Sequence, residues 1–238
     1  MESRSVAVDI KSEWFPRGKR GSSELLRAII PLVRRAVKNS ADPSVTEIAR
    51  RTRYPFRILV STVISARTKD EVTGAASGRL FTKAKGPAEM ARLRESEIAK
   101  LIYPAGFYRT KAKAIRALSR KLVDEYGSKV PQDIDELLTL PGVGRKTANL
   151  VVTLAFGGPG ICVDTHVHRI VNRLGAVSTR NPKETEFALR AVLPKKHWLE
   201  INDLLVTYGK NVCAPISPRC SICALRRRCG RVGVERSR

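Results

Sequence analysis

The sequence predicts an all-α protein. Apolar residues recur at helical spacing almost throughout. No sustained period-two alternation rich in Val, Ile, Thr and aromatics interrupts them, and Pro and Gly cluster mostly in the gaps between periodic stretches. Residues 1–20 mix both charges with few apolar positions and read as a loose basic arm. A helical stripe follows from Ser23 to Val37, which Pro31 is expected to kink or split. Phe56, Leu59, Val60, Val63 and Ile64 then recur at i, i+3, i+4, i+7 and i+8 behind Pro55, the pattern of a buried helix with proline in its first turn.

Further stripes run over Glu71–Phe81, Glu95–Tyr103, Thr110–Tyr126, Ile134–Leu138, Lys146–Phe156, Thr165–Leu174, Lys183–Val192 and Trp198–Tyr208. The gaps hold Gly86-Pro87, Pro104 with Gly106, Gly127 with Pro131, and Pro194. Gly157-Gly158-Pro159-Gly160 is the stretch richest in breakers and is where the chain is expected to pass between two halves. With no repeat at solenoid periods, these helices are expected to pack into a compact globule.

The charge is the strongest compositional signal. In 238 residues, 45 Lys and Arg face 22 Asp and Glu, a formal net charge of +23. A hydrophobic fraction of 42% is too high for a disordered basic tail, so a folded protein carries this excess and a polyanionic partner is implied. No apolar run approaches the roughly 20 residues that a bilayer requires, and the first twenty residues do not read as a signal peptide. An intracellular site is expected, cytoplasm or nucleoid if the source is prokaryotic. No heptad repeat suggests coiled-coil assembly.

Of five cysteines, four fall in the last 26 residues, spaced Cys213-x6-Cys220-x2-Cys223-x5-Cys229. Thiolates so close in sequence form a closed metal-binding set, and both zinc and an iron-sulfur cluster accept four of them. From Leu204 onward there are eight Lys or Arg and one acid, Glu235, so cations and candidate ligands share one element. Cys162, in an apolar context, reads as a small core residue.

Leu140-Pro141-Gly142-Val143-Gly144-Arg145-Lys146 lies between two helical stretches. Glycines at 142 and 144 permit positive φ and bare the main-chain N–H groups, so an anion can approach the start of the next helix. The bland alternative is a tight interhelical turn. Lys146 falls in that first helical turn beside Arg145, facing the positive end of the macrodipole, a setting expected to favour a nucleophilic amine over a simple phosphate contact. Asp164 precedes a helix and reads as its N-cap, a fixed negative charge suited to stabilising a cationic sugar. His166 and His168, two apart on that helix, face different sides and are not expected to share a metal; His166 is a candidate phosphate contact.

With these residues in place, the chain resembles the endonuclease III family of base-excision repair glycosylases. The matching text is LPGVGRKTANLVV, VDTHVHRIVNRLG and the cysteine spacing, with weaker similarity through ISARTKDEVT and LIYPAGFYRTKAKAI. The resemblance implies a monomer with a helix-hairpin-helix DNA glycosylase fold, with two helical lobes, a DNA-binding cleft and a C-terminal iron-sulfur cluster loop. It implies a helical barrel domain over 48–158 and a cluster domain formed by 21–47 with 159–238. Lys146 then matches the Schiff-base lysine, Asp164 the catalytic aspartate, and Cys213, Cys220, Cys223 and Cys229 the ligands of a 4Fe-4S cluster.

Gly142, Val143, Gly144 and Arg145 would hold a phosphate of damaged double-stranded DNA. Arg67 stands where many bacterial members carry Gln, and Phe107 matches an apolar wedge position; an ordinary core aromatic is the alternative for Phe107. The implied activity is removal of oxidised or ring-saturated pyrimidines through a lysine Schiff base, followed by cleavage 3′ to the site by β-elimination. The competing functions are a uracil or thymine mismatch-type glycosylase and a non-catalytic, zinc-stabilised DNA-binding module.

Overall fold

A computed structural model describes residues 9–40, 43–52 and 54–238. Every regular element among them is helical. The chain forms two compact units, one of Met1–Ala41 with Val163–Arg238 and one of Asp42–Cys162.

In the first unit, a 3-10 turn at Ser12–Trp14 leads into α1 (Gly18–Val37). The arm expected over 1–20 is therefore packed from Ser12 on, while residues 1–8 lie outside the described residues. Trp14 and Phe15 are buried, and the Trp14 carbonyl accepts the Ser178 N–H at 2.8 Å. Two aromatics removed from water outweigh the charge around them. Pro31 does not split α1. Leu26, Ile29, Ile30 and Val33 are fully buried around it, and burying four such side chains, at about 1.5–3 kcal/mol each, exceeds the roughly 3 kcal/mol that an internal proline costs.

The second unit holds α2 (Ser44–Thr52), α3 (Pro55–Ser65), α4 (Asp70–Lys83), α5 (Pro87–Arg92), α6 (Glu95–Ile102), α7 (Tyr108–Tyr126), α8 (Ile134–Leu138) and α9 (Arg145–Phe156). Buried from Ile58 through Ile64, α3 packs on α2, α4, α7 and α9 and is the centre of the unit. The expected boundary at residue 48 falls inside α2, which packs on α3, α4 and α9, and the chain leaves the unit at Cys162 rather than 158. Neither α2 nor α5 was expected: α5 has only six residues, while α2, as long as α10, does keep Val45, Ile48 and Ala49 at helical spacing and was passed over.

The first unit resumes with α10 (Thr165–Arg173), α11 (Pro182–Val192) and α12 (Ile201–Asn211). The stripe expected from Trp198 begins its helix three residues later: Trp198 is buried in the preceding turn and donates through Nε1 to the Leu193 carbonyl at 2.8 Å. Arg34 of α1 makes a bidentate contact with Glu200, at 2.8 and 2.9 Å, tying α1 to the start of α12. Residues 212–238 follow without a regular helix. No helix among the described residues is long and apolar enough to cross a membrane.

Candidate active site and cysteine loop

The hairpin joins α8 to α9. Asp133 caps α8 by accepting from the Asp135 and Glu136 N–H groups, whereas the residue capping α9 is Gly144, which brings no side-chain acceptor. The two glycines differ in kind. Gly142 has φ 78°, and a Cβ on it would stand 2.7 Å from Ala114 Cβ on α7, so both conformation and space demand glycine there. Gly144, expected to need the same freedom, has φ −96°. A Cβ on it would meet nothing within 4 Å, so its bareness leaves the helix start open. Val143 is a further correction to the picture of a bare hairpin. Its side chain is buried in the core cluster beside Leu140, and its N–H is spent on the Leu140 carbonyl at 3.1 Å. It anchors the hairpin from beneath.

Lys146 is exposed in the first turn of α9, where a substrate can reach its amine, and Arg145 precedes it half-buried. The first turns of α9 are held firmly. Asn149, buried, donates to the Arg145 carbonyl at 3.1 Å and accepts the Ile161 N–H at 3.1 Å. Gly160 lies so close to α9 that a Cβ would stand 2.8 Å from the Asn149 carbonyl oxygen. Cys162 is buried as expected, its thiol 3.8 Å from the Lys146 carbonyl oxygen.

Asp164 caps α10 as its position in the sequence suggests: Oδ1 accepts from the His166 N–H at 2.7 Å and the Val167 N–H at 3.1 Å. Two such bonds to one oxygen fix the carboxylate at a helix N-terminus, where the dipole favours negative charge. The two histidines diverge. His168 Nδ1 lies 2.7 Å from the Thr185 hydroxyl on α11, and burial lowers its pKa. His166, placed among candidate DNA contacts, is half-buried against α12, its Nδ1 3.0 Å from Arg169 Nη2. A Cβ on Gly209 would stand 2.4 Å from that ring nitrogen, so only glycine lets α12 pass so near.

Arg67 and Phe107 are brought together. The Arg67 guanidinium stacks over the Phe107 ring, 5.4 Å from its centroid, and both residues have positive φ, 51° and 55°. Phe107 is 62% exposed, which removes the core-aromatic alternative. Beneath them, Lys111 of α7 is 7% exposed and donates through Nζ to the Ile64 carbonyl at 2.6 Å, to the Ala66 carbonyl and to Thr68 Oγ1 at 2.8 Å. Burial pulls its pKa down to about 8. The sequence reading passed over Lys111 and Asn149. The available signal was a lysine four before Ile115 and seven before Leu118, on the apolar face of an amphipathic helix.

Cys213, Cys220, Cys223 and Cys229 line one cavity together with Arg173, Val212, Pro218 and Val234. Among the described residues, no group of three or more His, Cys, Asp or Glu is close enough to hold a single metal ion. Burial raises the Cys229 thiol pKa, against the lowering effect of the Arg231 N–H, and the neighbouring cysteines add to the rise. Tyr208 places its hydroxyl 3.1 Å from Cys223 Sγ, and burial pushes its ionisation up. Two arginines of α10 hold the loop's backbone. Arg173 donates to the Ala214 and Pro215 carbonyls at 2.7 Å each, and Arg169 to the Cys213 carbonyl at 2.7 Å. Arg226, Arg227 and Arg228 stand exposed around the buried Leu225.

Comparison with known proteins bears on the family and the fold. Residues 60–195 match the model of the HhH-GPD superfamily of base excision DNA repair proteins. The chain is 50% identical over 175 residues to endonuclease III of Thermotoga maritima, covering 74% of this chain and 82% of that protein. A trapped endonuclease III–DNA covalent intermediate superposes with a TM-score of 0.79 at 34% identity, covering 88% of this chain and 96% of that one. A thermostable thymine-DNA glycosylase does so with a TM-score of 0.77 at 26% identity, covering 88% and 97%. The chain thus belongs to the HhH-GPD superfamily and, within it, to the endonuclease III family, whose members are the DNA-binding glycosylase/lyases of base excision repair.

Proposed function

We propose that the protein, as a monomer, excises oxidised or ring-saturated pyrimidines from double-stranded DNA and cleaves the strand 3′ to the site by β-elimination. The observation that carries this reading is Lys146, an exposed amine in the first turn of α9, directly after a hairpin whose capping residue covers that turn with no side chain. Backbone N–H groups at such a helix start, with the Arg145 side chain, suit a DNA phosphate. In this role Gly142 gives the turn its shape, Gly144 its open face, and Val143 its anchor.

The target base must leave the stack, at a cost of a few kcal/mol that is least for a damaged base. Arg67 and Phe107, exposed and stacked on each other, suit insertion into the duplex beside the extruded nucleotide. The Lys146 amine then attacks C1′ as the C1′–N bond to the base breaks, and the proton it sheds on bonding goes to the departing base. Asp164 stabilises the positive charge on the sugar. Once the amine has become an imine of the opened sugar, the C2′ proton is lost and the C3′–O bond to the phosphate breaks. Hydrolysis returns the lysine. His166, half-buried, serves by holding the helix that Asp164 caps.

Cys213, Cys220, Cys223 and Cys229 would hold a 4Fe-4S cluster. Four thiols lining one cavity form an all-sulfur donor set that would suit such a cluster. When bound, the group cross-links the loop that displays Arg226, Arg227 and Arg228 to DNA phosphates. A single zinc is the alternative, and a yellow-brown protein with broad visible absorbance separates the two.

A second reading, excision of uracil or thymine opposite guanine, draws on the likeness to the thymine-DNA glycosylase. Competition between duplexes carrying thymine glycol and a G·T mismatch distinguishes it. The test of the lysine is borohydride trapping on a duplex with one thymine glycol. A covalent complex is expected that vanishes in Lys146→Ala, while Asp164→Asn lowers turnover by about 10² or more and leaves binding largely intact. Trapping that survives in Lys146→Ala overturns the mechanism.

A further inference from the structure

The buried Lys111 has no part in the chemistry just described, yet it is costly to keep. A lysine stem is at home in a core, but its ammonium is not, and an apolar side chain of similar volume would fill the same space on α7. What the ammonium adds is direction. Its three acceptors come from residues 64, 66 and 68, the end of α3 and the loop after it, where the negative end of the α3 dipole favours a cation. Thr68 extends the connection. The same Oγ1 that accepts from Lys111 also accepts the Gly106 N–H at 3.1 Å and donates to the Ala66 carbonyl at 3.3 Å. A Cβ on Gly106 would stand 2.3 Å from the Arg67 carbonyl oxygen, so the two loops meet at backbone distance.

Arg67 lies between two of the tethered residues and Phe107 directly follows Gly106, both in a left-handed conformation that L side chains rarely adopt. Such a conformation persists where surrounding bonds enforce it.

We infer that Lys111, acting through Thr68, is the positioning residue for the Arg67–Phe107 pair, holding the two loop tips at one spacing so that they enter the duplex as a unit. This rests on the reading above that those two side chains occupy the duplex beside the extruded nucleotide. Lys111 touches neither substrate nor reacting atoms; it acts on how well duplex DNA is opened.

The experiment compares single-turnover strand cleavage of a duplex carrying one abasic site opposite guanine with cleavage of the same abasic strand unpaired. A general loss of folded enzyme lowers both rates together, whereas a misplaced pair lowers their ratio. Lys111→Met and Thr68→Val should each reduce the duplex-to-single-strand ratio about tenfold, the effect of one well-placed hydrogen bond lost from the transition state. Lys111→Met should add nothing in an Arg67→Ala background. If Lys111→Met does not fold, Thr68→Val, which keeps the core intact, decides the matter. An unchanged ratio in the variants that fold, or effects that multiply in the double variant, overturns the inference. An unchanged ratio in Arg67→Ala instead defeats the reading of Arg67, and this inference falls with it.

Discussion

Residues 42–162 surround α3 with a continuous apolar core drawn from all the helices from α3 to α9. Residues 212–238, in contrast, bury little besides Pro218 and Leu225 and contain no regular helix. Their backbone is satisfied in part from outside, by Arg169 and Arg173 of α10, and their four cysteines point into one cavity. A short, cation-rich segment has too little apolar surface to offset the entropy of ordering its chain. Charge-assisted hydrogen bonds from Arg169 and Arg173, and the proposed cluster, take that place. The order of the first region is spread over many small contributions, while that of the second depends on a few large ones.

The largest break in this contrast is removal of a proposed cluster ligand. Cys220→Ser, or iron chelation, should bring amides 212–238 into fast hydrogen exchange, because the binding free energy of the proposed cluster, which is also folding free energy, is lost from a segment with little else. Amides of α3 should stay protected. Exchange that rises equally over 42–162 would show that the two regions are not held separately. Next is Leu80→Ala in the fully buried core of the second unit, which should cost about 2–5 kcal/mol in urea unfolding while leaving the visible absorbance of the folded protein unchanged.

The smallest effect concerns a polar tie in the first unit. Burial raises the Glu200 pKa, but His197 and Arg34 outweigh it and hold the carboxyl below its usual 4.5. A lowered folded pKa means that the contribution is present above pH 4.5 and is lost as pH falls through the lowered value. Glu200→Gln should therefore destabilise at pH 7 by about 1 kcal/mol or less, since Arg34 is half exposed. The difference from the parent should close in acid, and a gap that persists at pH 2–3 would show that packing, not charge, sets it.

The helices with strong periods, such as α6, α7 and α10, were legible in the sequence to within a few residues, because a stripe of apolar side chains is a local property of the chain. The six-residue α5 was not, being too short for a stripe to repeat, whereas α2 carried its signal in Val45, Ile48 and Ala49. Within the candidate site, the Asp164 cap could be read directly, as a cap lies within three residues of the groups it satisfies. Gly142 and Gly144 looked alike in sequence and proved different: the first is forced by Ala114, far away in the chain, and the second by nothing.

By itself, then, the sequence determined the all-helical class, the cation excess, the cysteine spacing, the capping aspartate and the lysine after the hairpin, all of them set by residue identity and short-range order. Only the tertiary structure decided that Trp14 and Phe15 are buried, that Val143 faces inward, that Phe107 stands out to stack with Arg67, and that Lys111 reaches under both. Each of these depends on residues distant in sequence competing for the same space or the same hydrogen bond, and that competition is resolved only when the chain is folded.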